Sequence, residues 1–168
     1  MAQASFIPTQ PPRKRVNQRL TDRIVTTTLD YVSADNPEPS TTTFKDNLIT
    51  VDAFSTLTVR LLGEPILQIT RTANNVIDKV IVFYSDIDND SGNPSSTARE
   101  QLNGLLSALG DYGIIPLKVR VFMDWECGLC YLGSGDQKIA LTKSYANMVS
   151  IDANTDKFTF EDLTNYKR

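Results

Sequence analysis

FSTLTVRLLGEPILQITR, residues 54–71, is the stretch on which the fold class turns. Ser55, Leu57, Val59 and Leu61 alternate with Phe54, Thr56, Thr58 and Arg60, the period of two that gives a strand one core face and one wet face. Gly63, Glu64 and Pro65 then turn the chain into a second run, Ile66 to Arg71, so the stretch predicts a β-hairpin.

Reading outward, further strands are expected. Upstream, Leu48 to Val51 and the run IVTTTLDYV at 24–32 are β-branched and aromatic, the latter with Val25, Leu29 and Tyr31 on one face. Between them, Ser33 to Asn47 holds DNPEPS and three threonines, turn chemistry that marks a long surface loop. Downstream, Val80 to Tyr84 has no polar alternation, as expected of a central strand spanning Val76 to Tyr84.

One helix is expected. Thr97 and Glu100 form a capping box, Ala98, Leu102, Leu105, Leu106 and Leu109 recur at helical spacing, and Gly110 and Gly113 supply the exit. Ile115, Leu117, Val119, Val121 and Met123 then read as a half-buried strand. Strand, helix, strand fits either a right-handed crossover between parallel strands or a helix inserted into an antiparallel sheet. Later runs at 129–132, 138–145, 148–151 and 157–160, with a turn over Gly133 to Asp136, add β structure. The expectation is a mainly β (α+β) chain: an antiparallel β-sandwich or barrel-like domain over residues 21–168 with one amphipathic helix, after an extended Pro-rich basic arm over residues 1–20.

Charge divides the chain in the same place. Of 17 Lys+Arg and 20 Asp+Glu, the first 21 residues hold Arg13, Lys14, Arg15 and Arg19 and no acid, leaving −7 on the remaining 147. Pro8, Pro11 and Pro12 favour an extended, polyproline-like path. An extended basic segment before an acidic body suggests anchoring on something negative: phosphates, or the acidic surface of a neighbouring subunit. No run approaches the length of about 20 apolar residues that spans a bilayer, so no membrane partner is expected. The amino terminus lacks the pattern of a secretory signal, so synthesis in a cytosol is expected. Histidine is absent, which removes the Ser-His and Cys-His pairs and the usual general base near neutral pH; the expectation is that the chain is not an enzyme.

Two motifs carry candidate chemistry. In the W-x-C-x-x-C run from Trp125 to Cys130, Cys127 and Cys130 resemble a thioredoxin-like redox pair, but a turn-rich run follows where that fold has a helix, and no proline follows the motif. Small side chains buried in a sheet are the competing reading. Asp86, Asp88 and Asp90 sit at i, i+2 and i+4 between a strand and the helix, where three carboxylates could converge on Ca²⁺ or Mg²⁺. The competing reading is a solvated loop beside the positive helix end.

The Pro-rich basic arm at Pro11 to Arg15, the Thr-, Asn- and Asp-rich strand series from Ile24 to Phe160 and the absence of histidine together resemble virus or phage structural proteins of the coat-like kind. The resemblance is architectural and rests on no family-specific motif. It implies a virion location and a capsid, decoration or tail or neck role, with the chain assembling with itself or with other virion subunits. It implies too that Arg13, Lys14, Arg15 and Arg19 contact subunits or nucleic acid. Two other readings stay open: a module binding nucleic acid or an acidic partner through the arm, and a small metal-dependent or redox enzyme.

Overall fold

The computed structural model describes residues 16–83, 95–134, 137–141, 148–153 and 160–162. Over these described residues the chain is mainly antiparallel β with two helices, the expected α+β class. Helix α1 (Val16–Ser33) opens it, followed by β1 (Ser40–Phe44), β2 (Asn47–Val51), β3 (Leu57–Leu61), β4 (Glu64–Arg71) and β5 (Ile77–Phe83). Helix α2 (Ser96–Asp111) leads to β6 (Arg120–Asp124), β7 (Leu129–Ser134), β8 (Gln137–Ala140), β9 (Met148–Asp152) and β10 (Phe160–Asp162).

The strands form a seven-stranded sheet, β10-β9-β5-β4-β3-β2-β1, and a three-stranded sheet, β6-β7-β8. Strands β1 to β5 are a meander of successive hairpins, extended beyond β5 by the late strands β9 and β10. The apolar run of β5 is paired on both edges and buried on both faces, Val80 and Val82 in the main cluster and Ile81 and Phe83 in a second one, which is why it needs no polar alternation. Every pairing is antiparallel and β6 joins the other sheet, so α2 connects two antiparallel sheets and no parallel crossover exists between β5 and β6.

The hairpin that opened the sequence reading is present with a shifted turn. Leu61 pairs with Glu64, so the turn is Leu62–Gly63, both at positive φ (51° and 84°), and Glu64 and Pro65 already belong to β4. Two positive-φ residues make the tight turn whose twist matches paired strands. Phe54 to Thr56 are outside the strand because Asp52 Oδ1 accepts from the backbone N–H of Phe54 (2.8 Å) and Thr56 (3.0 Å), closing a turn before Leu57.

The run 24–32 corrects the reading most. It is the second half of α1, not a strand, and Val16 to Leu20, assigned to the extended arm, are its first turn. Thr21, Ile24, Thr28, Tyr31 and Val32 are the buried positions, at helical spacing. Thr26, Thr27 and Thr28 each turn the hydroxyl back onto the carbonyl four residues earlier, at 2.9–3.0 Å, so their polar groups are served inside the helix. The expected loop over Ser33 to Asn47 is likewise corrected: its threonines build β1, the largely exposed edge strand of the large sheet. The strand expected from Ile115 begins only at Arg120, after a loop in which Leu117 is exposed and Lys118 has φ 71°.

Helix α2 holds the two sheets in one core. Leu102, Leu105, Leu106 and Leu109 are buried as their spacing predicts, although the helix is capped two residues before Thr97, by Ser95 Oγ accepting from Ala98 N. It packs on α1 with Gly104 at the crossing, where a Cβ would stand 2.5 Å from Thr21 Cγ2. Buried Gln101 exchanges amide hydrogen bonds with Asn47 of β2 at 2.7 and 3.1 Å. On the other side, Asn103 donates to Val121 O (2.8 Å) and accepts from Val121 N (2.7 Å), standing in for a neighbouring strand along β6. The main buried cluster therefore runs from Ile49 and Ile69 through the α2 leucines to Val121 and Leu132. Among the described residues no helix is long and apolar enough to cross a membrane.

Candidate functional site

Two places gather unusual side chains. The first is the carboxyl end of α1. Arg71, the last residue of β4, lays its guanidinium 4.6 Å from the Tyr31 ring centroid. It donates from Nη2 to Tyr31 O at 2.7 Å and from Nη1 to Asn75 O at 3.0 Å. The Tyr31 hydroxyl reaches the Ser55 carbonyl at 2.6 Å, and burial raises its pKa above the ordinary value while Arg71 pulls against that shift. Asn75, at φ 64°, donates from its side chain to Asp35 O and Asn36 Oδ1, closing the β4–β5 turn onto the segment after α1. A cation on the last carbonyls of a helix offsets the negative end of its dipole. Open clefts of about 370 and 520 Å³ share Arg71 and Asn75 in their walls. The bonds from Arg71 to Tyr31 O, from Tyr31 to Ser55 O and from Asn75 to Asp35 O and Asn36 Oδ1 run between elements, so this cluster fastens α1 to the sheet.

The second place is the outer face of the small sheet and its tip. Val121, Cys130 and Leu132 turn inward, and the alternate positions Phe122, Asp124, Leu129 and Tyr131 lie on the other face, whereas the Arg120 guanidinium donates to Val119 O at 2.6 Å and to Ser107 Oγ of α2 at 3.3 Å. Phe122 and Tyr131 are cross-strand partners with centroids 5.8 Å apart and planes at 28°. Lys138 Nζ stands 4.5 Å from the Tyr131 centroid, extending the ridge with a cation. Residues 125–128 turn from β6 into β7: Gly128 N donates to Asp124 O at 2.8 Å, and Asp124 Oδ1 accepts from Glu126 N at 3.0 Å. Gly128 has φ 72°, which closes the turn. At its apex Trp125 is 80% exposed.

The residues singled out from sequence fall in different places. Arg13, Lys14 and Arg15 lie outside the described residues, as do Asp86, Asp88 and Asp90. Arg19 is exposed on the first turn of α1. Neither Cys127 nor Cys130 is in a disulfide, and they do not share an environment, which corrects the reading of both as buried. Cys127 is exposed in the turn, its Sγ 3.8 Å from the Tyr131 hydroxyl. Cys130 points into the core, where burial pushes its thiol up to about 11. Among the described residues no three His, Cys, Asp or Glu side chains converge as metal ligands would.

Phe122, Tyr131 and Lys138 were not legible as a group from sequence. Alternation put Phe122 and Asp124 on the face opposite Val121. The available signal was that a strand of period two leaves one face for something other than its own core. No family model, curated protein or solved structure matches this chain.

Proposed function

We propose that the chain is a non-catalytic virion structural protein, a capsid, decoration or tail or neck component that associates with copies of itself or with other subunits, with the basic N-terminal segment as the tether. The observation that carries this reading is Trp125, 80% exposed at the apex of a turn fixed by Asp124 and Gly128. Burying such a ring in a partner removes apolar surface from water at about 25 cal/mol per Å², and the pinned turn has little left to lose on binding. The charge division supports it: a segment with four cations and no acid precedes a body at −7, so one copy offers what the surface of the next attracts.

The test is size-exclusion chromatography with light scattering on the full-length chain, with absorbance at 260 and 280 nm read across the peak. Uniform particles of many copies are the expected result, and excess absorbance at 260 nm would add bound nucleic acid. A monomer at every concentration would defeat self-association as the role of the chain.

A further inference from the structure

The outer face of the small sheet is banded along its strands. Lys138 stands at one end, in register with Gly133, as does Arg120, whose guanidinium is tied to Val119 O and to Ser107 Oγ of α2. Phe122 and Tyr131 form the middle. Asp124, Trp125 and Glu126 make the other end, and at the rise of a strand Asp124 lies about 13 Å from Arg120. The N-terminal residues 8–15, PTQPPRKR, carry a matching order: three prolines, then Arg13, Lys14 and Arg15, with no acid. In a polyproline helix Pro11 to Arg15 spans about 12 Å at 3.1 Å per residue.

We propose that residues 8–15 of one copy dock on this face of a second copy, prolines against Phe122, Tyr131 and Trp125, cations against Asp124 and Glu126. The proposal rests on the assembly reading and names its contact. Proline segments bind aromatic ridges because their backbone is already fixed, so little chain entropy is lost. Direction is set by charge, since the reverse orientation would bring Arg13 to Arg15 against Lys138 and away from Asp124 and Glu126. A single nucleic-acid strand would use the same rings, but Asp124 and Glu126 beside the exposed Trp125 repel phosphates, which favours the peptide. On the assembly reading the occupant comes from another copy, since the segment with four cations is drawn to a neighbouring body at −7.

Trp125 is the only tryptophan, so its emission reports on this face alone. Two full-length variants each destroy one half of the contact: Arg13→Glu with Arg15→Glu, and Glu126→Lys. Each alone is expected to stay at monomer mass with red-shifted emission. An equimolar mixture is expected to associate, at least doubling the mass and shifting emission to the blue, because the arm of the second variant meets the intact tip of the first. If the wild type associates and the mixture does not, the arm docks elsewhere and the proposal falls while the assembly reading stands. Emission that follows the arm charges at every dilution, without change of mass, would place the arm on its own body and overturn the proposal. Association found only together with excess 260 nm absorbance would give the face to nucleic acid. A wild type that never associates would defeat self-association and this docking with it.

Discussion

Gly104 shows how one missing methyl group sets a helix crossing. An alanine Cβ there would stand 2.5 Å from Thr21 Cγ2 and 3.6 Å from Val25 Cγ2. Threonine is branched at Cβ, so its methyl has no flexible stem on which to retreat. Gly104→Ala should therefore destabilise the chain by about 1–3 kcal/mol in urea unfolding, despite the better helix propensity of alanine. Adding Thr21→Ser removes the clashing methyl and should recover most of the loss; equal stability of the single and double variants would place the strain elsewhere. Cys130 gives a second prediction at this scale. Its thiol titrates at about 11 when folded, against about 8.5 in an unfolded chain. The folded state therefore holds the proton longer, and stability is full below pH 8.5 and falls as pH rises toward 11. The loss is on the order of 2–3 kcal/mol. Tyr31, also raised, adds a loss of the same sign at higher pH. Cys130→Ala should flatten the part of the unfolding-versus-pH curve between pH 8.5 and 10, and an unchanged slope there would mean that the thiol is ionised in the folded chain.

Among the elements, α2 matters most, because Gln101 and Asn103 join it to one sheet each. Asn103→Ala leaves the N–H and C=O of Val121 without their partner along β6, a cost of about 1–3 kcal/mol. Hydrogen exchange should show it locally: the Val121 amide should lose protection while the amides of β3 and β4 keep theirs. Uniform loss across both sheets would mean that Asn103 supports the whole fold rather than the docking of β6. These joints also mark where reading from sequence stops. The leucine spacing of α2 and the alternation at 57–61 were legible because periodicity is local. The amides were not, since whether Asn or Gln is buried depends on a partner 54 residues away for Gln101 and 18 for Asn103. Helix α1 was misread for a related reason. Threonine and isoleucine favour strands, but that preference spans only about 1 kcal/mol, and burial of Ile24, Thr28 and Tyr31 against sheet and helix outweighs it. At the candidate site, Trp125 and the two cysteines could be picked out as a motif, while the ridge of Phe122, Tyr131 and Lys138 exists only once β6, β7 and β8 are in register.

At the scale of the whole molecule the charges oppose assembly unless the basic segment takes part, since bodies at −7 repel one another. Two forces could hold copies together, and they answer differently to salt. Charge attraction fades as the Debye length shrinks from about 10 Å at 0.1 M to 3 Å at 1 M NaCl. Burial of Trp125 is insensitive to that screening and is strengthened by sulfate. If both act, raising NaCl from 0.1 to 1 M should weaken association by about tenfold or more, and replacing chloride by sulfate at equal ionic strength should restore part of it. Trp125→Ala should weaken association at both salt levels, by about 30-fold for a contact worth 2 kcal/mol, without lowering unfolding stability, because the ring is already in water in the single chain. Light scattering over a dilution series measures all three effects. Association that strengthens steadily with NaCl would remove the charge term and leave an apolar contact alone. Association unchanged by Trp125→Ala would take the tip out of the interface and leave the basic segment to find another surface.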